Sequence, residues 1–155
     1  MRSLVNAKGR PTLPRYLKLR VYKAALDAHQ SLQIGKGMSG DAMAREIRYT
    51  DLARAKEDLR RLLAVIAKAD ETRSRAVRAQ MLRSALDIIP EVYINLRCLT
   101  DLHYMTEKRW ADSTMKLESV RSQLEAWIHF TDNERALQEA GTPLPDSKIE
   151  MFFDS

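Results

Sequence analysis

Apolar residues recur along most of the chain at intervals of three and four positions, whereas strict alternation of apolar and polar residues is almost absent. This spacing places apolar side chains on one face of an α-helix and argues against β-strands. We therefore predict four amphipathic helices, over 14–34, 42–69, 73–108 and 113–140. Four long helices joined by short links are typical of an up-and-down four-helix bundle, so the predicted fold class is all-α.

Each predicted helix carries an apolar stripe that would face a shared core. In the first helix the stripe is Leu13, Leu17, Val21, Ala24, Ala28 and Leu32. In the second it is Leu52, Ala55, Leu59, Leu62, Leu63 and Ile66. The third contributes Leu82, Leu86, Ile89, Tyr93, Leu96, Leu99 and Leu102, and the fourth Leu117, Val120, Leu124, Trp127 and Ile128.

The helix boundaries are predicted from residues that start or stop helices. Pro14 suits a first turn, where its missing N–H has no partner to lose. Gly35 and Gly37 are expected to end the first helix, and Asp41 to cap the second. Between the second and third helices, Thr72 or Ser74 is a candidate cap, although one continuous bent helix is the alternative.

Two further features shape the second half of the chain. Pro90 lies inside the third predicted helix and should kink it, but the apolar stripe keeps its phase across the proline. Asp112 and Ser113 are the predicted cap of the fourth helix, and the glycine at 141 ends it. The predicted organisation is a basic N-terminal arm over 1–12, a bundle over 13–140 and a flexible tail over 141–155.

Charge is distributed unevenly along the 155 residues, which are about the length of one domain. The formal net charge is +5, yet residues 1–23 carry seven cations and no acid. Residues 45–83 carry eleven cations and six acids, and residues 84–155 carry seven cations and thirteen acids. This asymmetry suggests one side that faces a polyanion. The alternative is that these charges are merely solvated.

Other classes of function find little support in the sequence. Cys98 is the one cysteine, so we expect no disulfide and no cysteine-based zinc site, and we interpret it as a small buried residue. His29, His103 and His129 fall on different predicted helices without metal-ligand spacing. The glycine-rich loop over 35–40 follows a helix rather than a strand, unlike a phosphate-binding loop. We expect a non-enzyme without metal or cofactor, located in the cytoplasm and away from membranes.

The cationic residues remain as the candidate functional surface. The predicted nucleic-acid-binding residues are Arg10, Arg15, Lys18, Arg20, Lys23, Arg60, Arg61, Lys68, Arg73, Arg75 and Arg78. Cations bind phosphates without reading sequence, and such binding weakens steeply with salt. Tyr16, Tyr22 and Trp110 are candidates for stacking on unpaired bases, although packing is the preferred interpretation of Tyr16.

A family resemblance lies in the stretch over 84–130. The third predicted helix carries a run close to LR-x-L-x-D-L, formed by Leu96, Arg97, Leu99, Asp101 and Leu102. The fourth carries Leu117, Val120, Leu124 and Trp127 in a pattern close to L-x-x-I-G-R-x-L-G-G-W. These runs resemble the four-helix-bundle family that contains the accessory variability protein (Avd) of diversity-generating retroelements and the bundle proteins of ribosomal RNA intervening sequences. Glu125, Ala126 and Ser122 depart from the family's Gly, Gly and Arg.

The resemblance implies a small basic bundle that assembles into a ring-like homo-oligomer, a pentamer in the characterised case. It further implies a non-catalytic partner of a reverse transcriptase that contacts template RNA and supports mutagenic cDNA synthesis. The alternative is a protein-interaction scaffold that does not bind nucleic acid. In that case Ile149, Met151, Phe152 and Phe153 form a candidate docking segment.

Overall fold

The computed structural model describes residues 14–32, 48–141 and 152–153. The elements are a short 3₁₀ helix η1 (Arg15–Lys18), α1 (Arg20–Gln30), α2 (Ala53–Glu71), α3 (Arg75–Asp101) and α4 (Glu107–Glu139). A π-helical turn over Arg48–Leu52 leads into α2. The predicted N-terminal arm, the loop over 35–40 and the predicted cap Asp41 lie outside the described residues.

The four helices form an up-and-down bundle, which confirms the predicted fold class. α1 packs against α2 and α4, and α3 packs against the same two helices. Arg15, at the start of η1, lies 3.7 Å from Asp70 at the end of α2. Arg75, at the start of α3, lies 3.5 Å from Glu134 near the end of α4. Neighbouring helices therefore run antiparallel, and we call the end of the bundle that holds these two pairs the junction end.

The core is built largely from the predicted stripes. Leu62, Leu96, Leu124 and Trp127 are buried almost completely, and each such side chain contributes roughly 1.5–3 kcal/mol. Six residues of the predicted stripes lie nearer the surface: Leu102 is 50% exposed, and the half-buried ones are Leu17, Ala24, Leu63, Leu86 and Tyr93. Leu13 lies outside the described residues. Leu102 is exposed because α3 ends just before it, so this part of the prediction is wrong. None of the helices among the described residues is both long enough and apolar enough to cross a membrane.

The first helix differs from its prediction at both ends. Pro14 precedes the 3₁₀ helix rather than an α-helix, and α1 begins only at Arg20. Between them Leu19 has an extended backbone (φ −73°, ψ 123°) and is fully buried. Leu19 also forms an isolated antiparallel bridge with Phe153. This long-range pairing interrupts the helix at a position where the local sequence gives no signal.

The predicted break between the second and third helices is confirmed. α2 ends at Glu71, and Thr72 has an extended backbone with ψ of 124°. Ser74 caps α3, because its hydroxyl accepts a hydrogen bond from the Val77 amide at 3.3 Å. The hydroxyl of Thr72 instead donates to the Lys68 carbonyl at 2.6 Å, so Ser74 is the cap.

The link between α3 and α4 is earlier than predicted. α3 runs through Pro90 without a break and ends at Asp101. His103 then has a φ of +63°, and the amides of His103 and Tyr104 donate to carbonyls of the last turn. Thr106 caps α4 by accepting from the Arg109 amide at 3.1 Å. The prediction of a cap at 112–113 is wrong, because both residues lie within α4. A left-handed residue ends α3, as in a Schellman motif, but here it is histidine rather than glycine.

Phe152 and Phe153, the residues after Gly141 that the structure describes, lie against the bundle. Gly141 has a φ of +74°, which fits the glycine predicted to end this helix. Phe152 and Phe153 are half-buried and pack against the core cluster. The ring of Phe152 lies 5.3 Å from that of Phe130 and 6.4 Å from that of Trp127, between ring centroids.

Candidate nucleic-acid interface

Exposed cations follow one another along η1 and the first turn of α1. Lys18, Arg20 and Lys23 are exposed, and no acidic residue occurs from position 14 until Asp27. Exposed cations that follow one another on a surface produce a positive potential that attracts a polyanion. We call Arg15, Lys18, Arg20 and Lys23 the α1 cationic face. All four are among the predicted binding residues.

Arg15 has a structural partner on each side. Its guanidinium lies 3.7 Å from the carboxylate of Asp70, whose side chain is only 2% exposed. The same guanidinium lies 4.3 Å from the centre of the Phe153 ring, within cation–π distance. Arg15 therefore offsets a buried negative charge, and part of its surface is covered by the Phe153 ring. Its side chain remains 41% exposed and accessible to a phosphate.

The aromatic residues considered for base stacking are engaged within the protein. The rings of Tyr16 and Tyr22 contact each other with centroids 5.0 Å apart, and both residues are half-buried. Burial raises the pKa of Tyr22, and Tyr16 raises it further. Trp110 lies in the first turn of α4, at the end of the bundle opposite the junction end, with Arg97 5.0 Å from its ring. The packing interpretation suits these rings better than stacking on bases.

The two predicted arginines in the middle of α2 face different neighbours. Arg60 lies 3.4 Å from Glu57, and its charge acts on His29 of α1. Arg61 pairs with Asp58 at 3.0 Å and approaches Glu91 of α3 at 3.8 Å. The exposed pair of Arg60 and Glu57 contributes only about 0–1 kcal/mol, so a phosphate can replace this carboxylate, whereas the carboxylate that pairs with Arg61 is buried. Arg60 thus acts towards α1 and Arg61 towards α3, so the two arginines lie on different sides of α2.

Arg75 and Arg78 tie the junction end together. Arg75 lies 3.5 Å from Glu134 and donates a hydrogen bond to Gln138 at 3.2 Å. Arg78 donates through Nε to the Ala69 carbonyl at 3.1 Å and through Nη2 to the Thr72 carbonyl at 2.6 Å. The Ala69 carbonyl also accepts from the Thr72 amide at 3.2 Å, so Arg78 reinforces the last turn of α2 and provides a donor for the Thr72 carbonyl just beyond it. Both arginines therefore have a structural role that the sequence prediction did not include.

The electrostatics of Arg78 fit this structural role. Burial lowers the pKa of its guanidinium, while the carboxylates of Glu134 and Asp70 raise it. The side chain lies where two carboxylates from different helices approach the end of α2. Burial of a charge is tolerated when opposite charges and hydrogen bonds accompany it.

Lys68 and Arg73 complete the predicted cations at the junction end. Both are exposed, and Arg73 borders a groove of about 280 Å³ that Arg75 and Arg135 also line. Arg135, on α4, is absent from the predicted set because it lies in the acidic half of the sequence. Arg10 lies outside the described residues. The structure thus brings Arg15, Lys68, Arg73, Arg75 and Arg78 to one end of the bundle, with Lys18 on the adjoining 3₁₀ helix.

Among the residues considered for other chemistries, Cys98 differs from its sequence prediction. Cys98 is exposed, so its interpretation as a buried residue is wrong. It lies on the outer side of α3 between Ile94 and Leu102, which are 64% and 50% exposed. Spacing of four residues places all three on the same face of the helix. Within the described ranges, no group of three or more His, Cys, Asp or Glu residues is placed to hold a metal ion.

Comparison with known proteins does not add a family to this description. The chain matches no protein-family model and no curated protein. The interpretation of the cationic surface therefore depends on its geometry and charge.

Proposed function

We propose that this protein is a non-catalytic, nucleic-acid-binding accessory subunit that partners a reverse transcriptase in a diversity-generating retroelement. In this role it binds template RNA and supports mutagenic cDNA synthesis. The observation that carries nucleic-acid binding is the α1 cationic face, where Lys18, Arg20 and Lys23 are exposed on a stretch without acids. The resemblance in the third and fourth helices supports the choice of a reverse transcriptase as the partner.

Binding by this face would follow charge and shape rather than base sequence. Lysine and arginine neutralise phosphates and release counterions, and this gain does not depend on the bases. The half-buried tyrosines beside the face contact each other, which leaves phosphates as its principal ligands. Lys68 and Arg73 at the junction end extend the positive surface beyond η1. An accessory subunit that holds RNA of any sequence near a polymerase needs this kind of surface.

The proposal includes a homo-oligomer, and the resemblance points to a pentamer. A ring of five copies would repeat the α1 cationic face five times around one axis. Repeated weak phosphate sites on one assembly raise the overall affinity for a long RNA through effective concentration. Light scattering coupled to size-exclusion chromatography would give five times the 17.8 kDa chain mass for a pentamer.

The direct test is cDNA synthesis by a reverse transcriptase of a diversity-generating retroelement on its template RNA. Synthesis would be compared with the wild-type protein, with none, and with the variant Lys18→Gln/Arg20→Gln/Lys23→Gln. We expect the wild-type protein to raise the cDNA yield and the variant to lose most of that gain.

A matched control removes three cations from α3 and α4, using Arg83→Gln/Lys108→Gln/Arg121→Gln. It changes the net charge equally but leaves the α1 cationic face intact, so its cDNA yield should equal that of the wild type. Equal yields with and without the wild-type protein would overturn the role in cDNA synthesis. Loss of yield in both triple variants would show that total charge, rather than this face, is responsible.

A protein-interaction scaffold is the second candidate, and a different surface favours it. Ile94 and Cys98 on α3 and Leu102 just after it form an exposed, largely apolar strip. Exposed apolar side chains on one face mark contact surfaces when they are contiguous. The earlier candidate, the C-terminal segment, is less suited to capturing a partner because Phe152 and Phe153 pack on this chain's own core. A wild-type protein that does not bind RNA, together with loss of oligomers in Ile94→Glu, would support this scaffold and assign the strip to assembly.

A further inference from the structure

A groove of about 290 Å³ lies between the end of α1 and the first turns of α4. Its lining residues are Ser31, Arg109, Asp112, Ser113, Met115 and Lys116. Ser31 follows Lys23 by eight positions, which is about 12 Å along the axis of α1. The groove is therefore a surface separate from the α1 cationic face, and we call it the α4 groove.

The hydroxyl of Ser113 distinguishes the α4 groove from an ordinary helix surface. The residue is only 2% exposed, and its hydroxyl has no hydrogen-bond partner among the residues that the structure describes. Hydroxyls inside helices commonly donate to a carbonyl of the preceding turn. Thr114 does so to Ala111, and Thr100 does so to Leu96, both at 2.9 Å. Burial of a hydroxyl without a partner is unfavourable, so a ligand atom that accepts from Ser113 offsets this cost.

Two cations share the helix face of Ser113. Arg109 lies four positions before it and Lys116 three positions after it, and this spacing places all three on one face of α4. Nη2 of Arg109 donates to the Ser31 carbonyl, which fixes the guanidinium at the wall of the groove. Nζ of Lys116 lies 3.4 Å from Asp27, in a pair whose side chains are 38% and 63% exposed. An exposed pair of this kind is weak, so Lys116 can turn to a ligand.

The charges of the α4 groove favour an anion. Its lining carries two cations and one carboxylate, that of the exposed Asp112. An anionic oxygen can accept from Ser113 while both cations attract it, and hydrogen bonds to charged groups are the stronger kind. A phosphate group offers several such oxygens, so it can contact the hydroxyl and the cations together. The carboxylate of Asp112 repels the same ligand, so its removal should strengthen binding.

We infer that the α4 groove is a binding site for a phosphate group, which accepts a hydrogen bond from Ser113 and is attracted by Arg109 and Lys116. Arg109 contributes its charge while its bond to the Ser31 carbonyl is kept. The site goes beyond the proposed function, because it does not use the α1 cationic face. The phosphate belongs either to a small molecule or to an RNA chain, and the two sources differ in the experiment below.

The experiment titrates inorganic phosphate into the full chain at constant ionic strength and follows the amide chemical shifts by NMR. We expect saturable shifts at Ser31 and over 109–116. Ser113→Ala should weaken binding by about tenfold, because a hydrogen bond to a charged group is lost. Asp112→Asn should tighten binding by about twofold to fivefold, because a nearby negative charge is removed.

The matched control is Thr131→Val, which removes another hydroxyl from α4. Thr131 is fully buried, and its hydroxyl also has no partner within the described part of the chain. It lies eighteen positions from Ser113, about 27 Å along the helix axis. Valine keeps the shape of threonine, so the phosphate affinity of this variant should equal that of the wild type.

Three results would overturn the inference. The first is shifts that do not saturate in the wild type. The second is equal phosphate affinity in the wild type and Ser113→Ala, or an equal loss in Thr131→Val. The third is unchanged or weaker binding by Asp112→Asn, a variant that needs no lost contact to be informative.

A second titration uses an unstructured RNA oligonucleotide with a 5′-hydroxyl in place of inorganic phosphate. Weaker RNA binding by Ser113→Ala would assign the α4 groove to a phosphate of RNA. Equal RNA affinity in the wild type and Ser113→Ala, with weaker binding of inorganic phosphate by the variant, would assign it to a small-molecule phosphate. Phosphate binding without RNA binding by the wild type would overturn the proposed function and leave this site standing.

Discussion

Replacing Arg78 by alanine tests whether this arginine is structural or a phosphate ligand. Its guanidinium donates to the carbonyls of Ala69 at 3.1 Å and Thr72 at 2.6 Å, where α2 ends. A hydrogen bond from a charged donor contributes about 1.5–3 kcal/mol, and partial exposure places these two near the lower limit. The variant also removes one of the positive charges near Glu134 and Asp70, which keep Arg75 and Arg15 as partners. We expect the free energy of unfolding to fall by about 2–4 kcal/mol.

The assay is urea unfolding followed by far-UV circular dichroism, supported by a thermal scan. For a chain of this size the expected loss lowers the melting temperature by roughly 5–15 °C. Arg78→Lys keeps the charge but not the planar fork, so it should recover only part of the stability. Arg73→Ala is the matched control, because Arg73 is exposed at the same junction and should change stability by less than about 0.5 kcal/mol. An Arg78→Ala variant as stable as the control, with weaker RNA binding, would refute the structural role.

Two further predictions concern the histidines. Burial lowers the pKa of His29, and Arg60 and Lys56 lower it further, so the unfolded chain binds this proton more readily than the folded chain. The free energy of unfolding should therefore decrease as the pH drops below about 6.5, the ordinary histidine pKa. In urea titrations between about pH 7 and 5, the free energy of unfolding of His29→Gln should decrease less than that of the wild type. His103 has a φ of +63°, so His103→Gly should raise the free energy of unfolding by about 0.5–1 kcal/mol, and a loss of stability would contradict the strain argument.

Periodic apolar residues made the bundle predictable, because one stripe per helix suffices to define a shared core. Ser74 was also recognisable, since a serine before a helix accepts an amide hydrogen bond from its first turn. The late start of α1 was not recognisable from local residues. It depends on the bridge between Leu19 and Phe153, which are far apart in the sequence.

The candidate site was predictable in composition but not in arrangement. The cations of η1 and α1 were identifiable because no acid accompanies them up to Asp27. The partners of Arg75 and Arg15 were not identifiable from the sequence. Glu134, which pairs with Arg75, and Phe153, which contacts Arg15, lie far from these arginines along the chain. A charge count along the sequence treats every arginine alike. Only the packing of the helices separates arginines that hold the junction end from cations that remain exposed.

The most direct test of the central claim is RNA binding by the purified protein across about 50–300 mM salt, compared with Lys18→Gln/Arg20→Gln/Lys23→Gln. Each phosphate contact on single-stranded RNA contributes about 0.7 to the slope of log affinity against log salt. If all three cations contact phosphates, the variant should lose about two units of slope and bind more weakly at low salt. Equal slopes and affinities for the two proteins, or no binding by the wild type at low salt, would contradict a phosphate-binding face on η1 and α1.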